Sequence, residues 1–158
     1  MISPARAPAR ADPNPCGANM SLSSSSTQEE INAHYRAALT AYTDAFTARD
    51  PEAILKLFAP GASLEDPVGS GRFVNGIDAL RPYFIRACGR DIKMRIDGHI
   101  SCSKGDAACA PIRVDVDGSV IHAISVARFD QEGLIIRYEA YWGPGDLEGP
   151  DPSIGRPI

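Results

Sequence analysis

The sequence predicts an α+β fold, with about three N-terminal helices packed over one curved, mostly antiparallel β-sheet. Three observations predict it. Apolar residues recur at helical spacing through the first half of the chain, and from about residue 92 the period drops to two. The strand-like segments there are separated by dipeptides that close hairpins. A run of helices followed by a run of strands is the pattern of α+β architecture. At 158 residues the chain is long enough for one domain with a real core and short for two.

Thr27 to Glu30 reads T-x-x-E, a capping box that opens the first helix. Behind it Ile31, Tyr35, Leu39, Tyr42 and Phe46 form one apolar stripe. Asp50-Pro51 supplies an N-cap with proline at the first helical position. The second helix, PEAILKLF, runs to Phe58 and stops at a Pro60-Gly61 turn. A strand, ASLEDPV, follows, then a GSGRFVNG loop and a third helix over about 77–88. Pro82 fits that helix only in its first turn or at a kink. The strands IKMRID, HISCS, AACAPIRVDV, SVIHAISVARF and LIIRYEAYW come next, with turns at Asp97-Gly98, Lys104-Gly105, Asp117-Gly118 and Glu132-Gly133. The proline-rich stretch from Gly143 is expected to be extended, with the domain spanning 27–147 and a tail over 148–158.

Composition narrows the function. A net charge of -4 with no basic block argues against a nucleic-acid partner. No apolar run approaches the roughly 18 residues that span a bilayer. Cys16, Cys88, Cys102 and Cys109 form no CxxC pair and have no matching histidine spacing, which argues against a zinc or redox site. Reduced thiols in the cytoplasm are the expectation, with disulfides left open. Residues 1–26 are rich in Pro, Ala, Arg and Ser and are expected to be disordered. They lack the continuous apolar segment of a secretory signal, and Met20 is an alternative start.

One run interrupts the strand pattern. In LEDPVGSG, counting by twos puts Asp66 on the apolar face of Ala62, Leu64 and Val68, and Pro67 follows it. Two readings are open. Asp66 ends the strand and caps the next turn with its side chain in water, or it faces the interior. There desolvation raises its pKa and makes it a better proton acceptor near neutral pH. Tyr42 sits mid-stripe, so its ring is buried. Its hydroxyl is either satisfied, as in an ordinary core, or free to donate to a developing oxyanion. Phe46, one turn on, lines the same wall.

The strands supply the rest. In SVIHAISVARF, Ile121, Ala123, Ser125, Ala127 and Phe129 share a face whose polar member is Ser125. In LIIRYEAYW, Tyr138, Ala140 and Trp142 share a face with Ile136. An aromatic concavity with few polar groups suits a flat apolar ligand, and a plain core with one hydrogen-bonded serine fits the pattern as well. His99 and His122 have no partner spacing for a metal or a triad, and no GxSxG elbow is present.

The run AYTDAFTARDPEAILKLFAPGASLEDPVGSG resembles the N-terminal half of the ketosteroid isomerases. These are bacterial steroid Δ5-isomerases with the cone-shaped fold shared with nuclear transport factors and polyketide cyclases. Tyr42, the EDPVG run with Asp66 and the ARFDQEGLI…YEAYWG hairpin carry the resemblance, in register over most of residues 30–147. It implies that Asp66 is the base, moving a proton from C4 to C6 of a 3-keto-Δ5 steroid, and that Tyr42 donates to the C3 oxygen. It places Ser125 where the family has a protonated aspartic acid as second donor. Phe58 and Phe84 fall at counterparts of the family's supporting tyrosines, with Tyr83 and Tyr138 nearby. Phe46, Phe84, Tyr138, Ala140 and Trp142 are the expected substrate-contacting residues. No cofactor is implied, because proton transfer between neighbouring carbons needs neither metal nor redox group. A small hydrophobic substrate and a homodimer are expected. Two other readings stand beside this one: a cyclase-like or epoxide-hydrolase-like enzyme on the same scaffold, and a non-catalytic module that binds a hydrophobic ligand.

Overall fold

The first helix, α1 (Gln28–Thr47), opens as its capping box requires: the Thr27 hydroxyl accepts from the Glu30 N–H and the Glu30 carboxylate accepts from the Thr27 N–H. Its stripe from Tyr35 through Leu39 and Tyr42 to Phe46 is buried. Helix α2 (Pro51–Leu55) is capped by Asp50, whose side chain accepts from the Ala53 N–H. The helix ends sooner than expected. By Phe58 the chain has entered strand β1 (Phe58–Glu65). Pro60 and Gly61, expected to form a turn, are exposed residues within that strand, where its register against its neighbour shifts. Proline and glycine are tolerated at such an irregularity because no ladder bond is lost there.

The loop expected over 69–76 contains a short strand, β2 (Phe73–Asn75), paired antiparallel to β1. Helix α3 (Ile77–Cys88) follows and carries Pro82 past its first turn, on the exposed side. The remaining strands are β3 (Ile92–Ile96), β4 (Ser101–Cys102), β5 (Ala107–Val116), β6 (Ser119–Phe129) and β7 (Ile135–Tyr141). A 3-10 turn at Pro144–Asp146 leads into β8 (Leu147–Glu148), which pairs with β6 where an extended tail was expected. A computed structural model describes residues 22–152. The expected disorder of 1–21, the alternative start at Met20 and Cys16 lie outside the described residues. Residues 22–26, assigned to the same disordered stretch, form a turn in which Ser26 N–H donates to the Ser23 carbonyl at 3.0 Å, and Leu22 packs on the core.

The strands form one curved sheet in the order β2-β1-β7-β6-β5-β3, with β4 on β5 and β8 on β6. All neighbours are antiparallel except β1 and β7. The β5–β6 turn shows why Asp-Gly closes it: Asp117 and Gly118 both have positive φ, 48° and 83°, as a two-residue hairpin of matching twist demands. Helix α1 lies across β3 and β5, and α3 lies across β1 and β2. The helices therefore cover one face of the sheet, and the core sits between the layers.

Strand β6 buries alternate residues from Ser119 to Phe129, as its pattern predicts. Strand β7 departs from its pattern. Arg128 pairs with Arg137, but Phe129 pairs with Ile135, so Ile136 is an extra residue on β7. This bulge turns Ile136 outward, exposed, and puts Ile135 into the core. Ile136 therefore does not share the face of Tyr138 and Ala140.

Phe84 is fully buried on α3, in edge contact with Tyr42 and Phe46 and packed against Phe58. Phe84→Ala is expected to destabilise the protein by about 3–5 kcal/mol in urea unfolding, the cost of a large cavity in a closed aromatic cluster. A loss under about 1 kcal/mol would show that this cluster collapses freely around the gap.

Candidate active site

A cavity of about 440 Å³ opens between the helices and the sheet, within the range of roughly 300–1,000 Å³ that holds small ligands. Its floor is apolar, with Met94, Ile112, Val114, Ile121 and Ala123 from β3, β5 and β6. Its chemistry gathers at one end, where Asp66, Tyr42, Tyr83, Ser125, Tyr138 and Trp142 meet.

Asp66 stands just past the end of β1. The parallel pairing explains where it goes: Leu64 is level with Tyr138 and Glu65 with Glu139, which brings Asp66 alongside the last residues of β7. The loop after it is held in place. Val68 N–H donates to the Ala140 carbonyl at 2.8 Å. The buried Glu65 accepts from the Gly69 and Gly71 N–H groups at 2.9 and 3.2 Å. Both glycines have positive φ, 93° and 70°, a backbone that other residues adopt only with strain. So fixed, the Asp66 side chain points into the cavity, half-buried, where its Oδ1 accepts from the Trp142 Nε1–H at 2.7 Å. Burial pushes the carboxyl above its ordinary value, and the indole N–H pulls part of the way back by stabilising the anion.

Tyr42, Tyr83 and Tyr138 all line the cavity. Desolvation raises each phenol, and the nearby Asp66 charge raises each further. They therefore remain protonated donors at any ordinary pH. Ser125 lies on β6 between Ala110 of β5 and Ala140 of β7, small neighbours that leave its hydroxyl room. Tyr138 pairs with Ala127, one position diagonal to Ser125, and donates to the Ser125 Oγ at 2.6 Å.

Phe46, Tyr138, Ala140 and Trp142 line the cavity as expected of substrate-contacting residues. Phe84 lies behind the wall, and Tyr83 is the α3 ring that reaches the cavity. Tyr83 and Ala87, four residues apart, mark a second stripe on that helix beside the core stripe of Leu80, Phe84 and Cys88. That spacing was available in the sequence. Two other cavity residues carried no readable signal: Arg72 and Arg90, the second pinned by Asp117 and the Pro152 carbonyl.

Three helices on a curved, mostly antiparallel sheet, enclosing an apolar cavity with acid and phenols at one end, define the cone-shaped class of small-molecule enzymes and binders. Residues 39–138 match the SnoaL-like domain, and the chain belongs to this family of ketosteroid-isomerase-like proteins. A steroid Δ-isomerase of Nocardioides simplex is 34% identical over 121 residues, 74% of this chain and 96% of that protein. The epoxide hydrolase LasB of Streptomyces lasalocidi is 26% identical over 129 residues, covering 66% of this chain but 45% of that protein's length. Among solved structures, the epoxide hydrolase/cyclase-like enzyme SalBIII, described as acting in pyran ring formation in the polyether salinomycin, superposes with a TM-score of 0.68 at 25% identity, covering 77% of this chain and 98% of its own. A Mycobacterium tuberculosis protein gives the same TM-score of 0.68 at 19% identity, covering 73% and 99%. Among the described residues no helix is long and apolar enough to cross a membrane.

The elevated pKa of Asp66 has a consequence for stability. A carboxyl raised in the folded state favours folding when protonated and opposes it when ionised. The penalty is absent below 3.8 and develops as pH rises through the raised folded-state value. Asp66→Asn keeps an acceptor for Trp142 but removes the charge. It is expected to melt above the wild type at pH 7 to 8, with the gap closing as pH falls toward 4. A variant that melts lower at neutral pH would mean that the Asp66 anion is stabilised by its surroundings.

Proposed function

We propose that this protein is a steroid Δ-isomerase that moves a C=C bond of a 3-ketosteroid from the Δ5 to the Δ4 position by intramolecular proton transfer. The observation that carries this reading is the desolvated Asp66 carboxylate, tethered by a single indole N–H at the end of the cavity where Tyr42, Tyr83, Ser125 and Tyr138 bring their hydroxyls. A carboxylate so placed is basic enough to take a proton from carbon, and among the described residues no cationic side chain is bonded to it. Asp66 removes the C4 proton and returns it at C6. Tyr42 donates to the C3 oxygen as negative charge develops there, and Ser125 supplies the second donor in place of the family's acid. The identity to the Nocardioides simplex enzyme supports the same assignment.

A second reading draws on the likeness to LasB and SalBIII: an epoxide-hydrolase-like or cyclase-like enzyme. Epoxide opening calls for two carboxylates and an arginine around a water. Among the described cavity-lining residues Asp66 is the one carboxylate; of the two arginines there, Arg90 is engaged by Asp117 and a backbone carbonyl, and Arg72 has no second lining carboxylate with which to hold a water. Isomerisation fits the site better. A homodimer belongs to the same reading, formed through the outer sheet face where the cross-strand neighbours Ile124 and Tyr141 are exposed.

Two measurements follow. Wild-type protein should convert 5-androstene-3,17-dione to the conjugated 4-ene, followed by the rise in ultraviolet absorbance. Asp66→Asn should abolish turnover, Tyr42→Phe should slow it by about 10²–10³, and Trp142→Phe should move the acid limb of the rate profile to higher pH. Full activity in Asp66→Asn would end this assignment, and tight steroid binding without turnover by wild type would favour a binding module. Light scattering on the eluted protein should give twice the chain mass of 16.9 kDa; a monomer would remove the dimer from the proposal.

A further inference from the structure

The weak point of the isomerase reading is Ser125. An aliphatic hydroxyl is a poorer donor than the carboxylic acid it replaces, and apart from the base Asp66 the described cavity lining holds no carboxyl group. What it does place there is a phenol. Tyr138 and Ser125 are both buried, both line the cavity, and their oxygens lie 2.6 Å apart, at the short end of O–H···O bonds. A serine hydroxyl can accept two hydrogen bonds and donate one. Ser125 accepts from Tyr138, and among the described residues nothing accepts from Ser125. Its proton is therefore free for a ligand.

Resting on the isomerase reading, we propose that Tyr138 and Ser125 together form the second oxyanion donor. Tyr138 donates to the Ser125 Oγ, and the Ser125 O–H, polarised by that bond, donates to the substrate oxygen opposite Tyr42. Donation into a hydroxyl oxygen strengthens the bond that hydroxyl makes onward, and the effect is largest where water is absent. Tyr138 is then a positioning residue, acting through Ser125. No proton leaves the pair: the only proton that changes partners is the one carried by Asp66.

The geometry supports this arrangement in two further ways. Tyr138 is itself steadied by Tyr42, whose ring lies against it at 4.4 Å between centroids. The three hydroxyls thus converge on one end of the cavity. The strand register also sets the pair, because Tyr138 of β7 is level with Ala127 of β6 and so diagonal to Ser125, and both side chains are buried.

The test uses 4-nitrophenol, whose absorbance distinguishes phenol from phenolate, and nitrobenzene as an uncharged ligand of similar shape. The host is Asp66→Asn, which mimics the protonated acid present when the oxyanion exists. That host should bind the phenolate in preference to nitrobenzene. Adding Tyr138→Phe or Ser125→Ala should weaken phenolate binding by about 10- to 100-fold and leave nitrobenzene binding within about twofold. The two changes together should cost no more than the larger alone, because they break one relay. Ser125→Thr, which keeps the hydroxyl, should restore binding when Tyr138 is present and fail to do so with Tyr138→Phe. The proposal is overturned if Tyr138→Phe weakens both ligands equally, if it leaves phenolate binding unchanged, if the two losses add, or if the host binds no phenolate. These outcomes test the donors, whereas the role of Asp66 as base is tested by turnover. An inactive wild type with an intact phenolate response would instead remove the isomerase reading and leave the anion site standing.

Discussion

The architecture of this site depends on one hydrogen bond, from the Trp142 indole to Asp66. A carboxylate driven into an apolar cavity would ordinarily protonate and become inert as a base. One N–H donor tempers that tendency without abolishing it. Two donors, or a cation, would stabilise the anion so well that it no longer sought a proton from carbon. The balance needs a donor at a fixed place, and the fold supplies it by setting the ends of β1 and β7 side by side in parallel register. Glu65, Gly69, Gly71 and Val68 then hold the loop that carries the carboxylate.

The opposite wall solves a different problem. Negative charge developing on a substrate oxygen needs donors that do not themselves ionise, and Tyr42, Tyr83 and Tyr138 are held protonated by burial and by the Asp66 charge. The carboxylate proposed as the base also helps to keep the phenols protonated. Small residues lining the cavity, Ala123 and Ala140 among them, leave volume in which a flat ligand could lie against both walls. In the proposed arrangement, a serine backed by a phenol in place of an acid keeps the second donor neutral at every ordinary pH.

Much of this was legible in the residues. The α1 stripe, its capping box, the alternation of β6 and the apolar side of Asp66 follow from local periodicity and capping chemistry, which tertiary contacts reinforce here. What escaped depends on non-local register. A period-two count through β7 cannot see the bulge at Ile136, because the extra residue is defined by its partner strand. The short β2 exists because β1 offers it an edge, not because three residues between glycines favour a strand. On α3 a difference of one position separates Phe84 in the core from Tyr83 in the cavity, and the second stripe through Ala87 decides between them. The Tyr138–Ser125 contact needed the diagonal geometry of paired strands, which no single segment encodes.

The central claim is that one carboxylate carries a proton between two carbons inside this cavity. It is tested most directly by 5-androstene-3,17-dione labelled with deuterium at C4 and turned over in ordinary water. If Asp66 is the carrier, a substantial share of the 4-ene product holds deuterium at C6. Product formed with its C6 hydrogen drawn wholly from solvent would contradict the account.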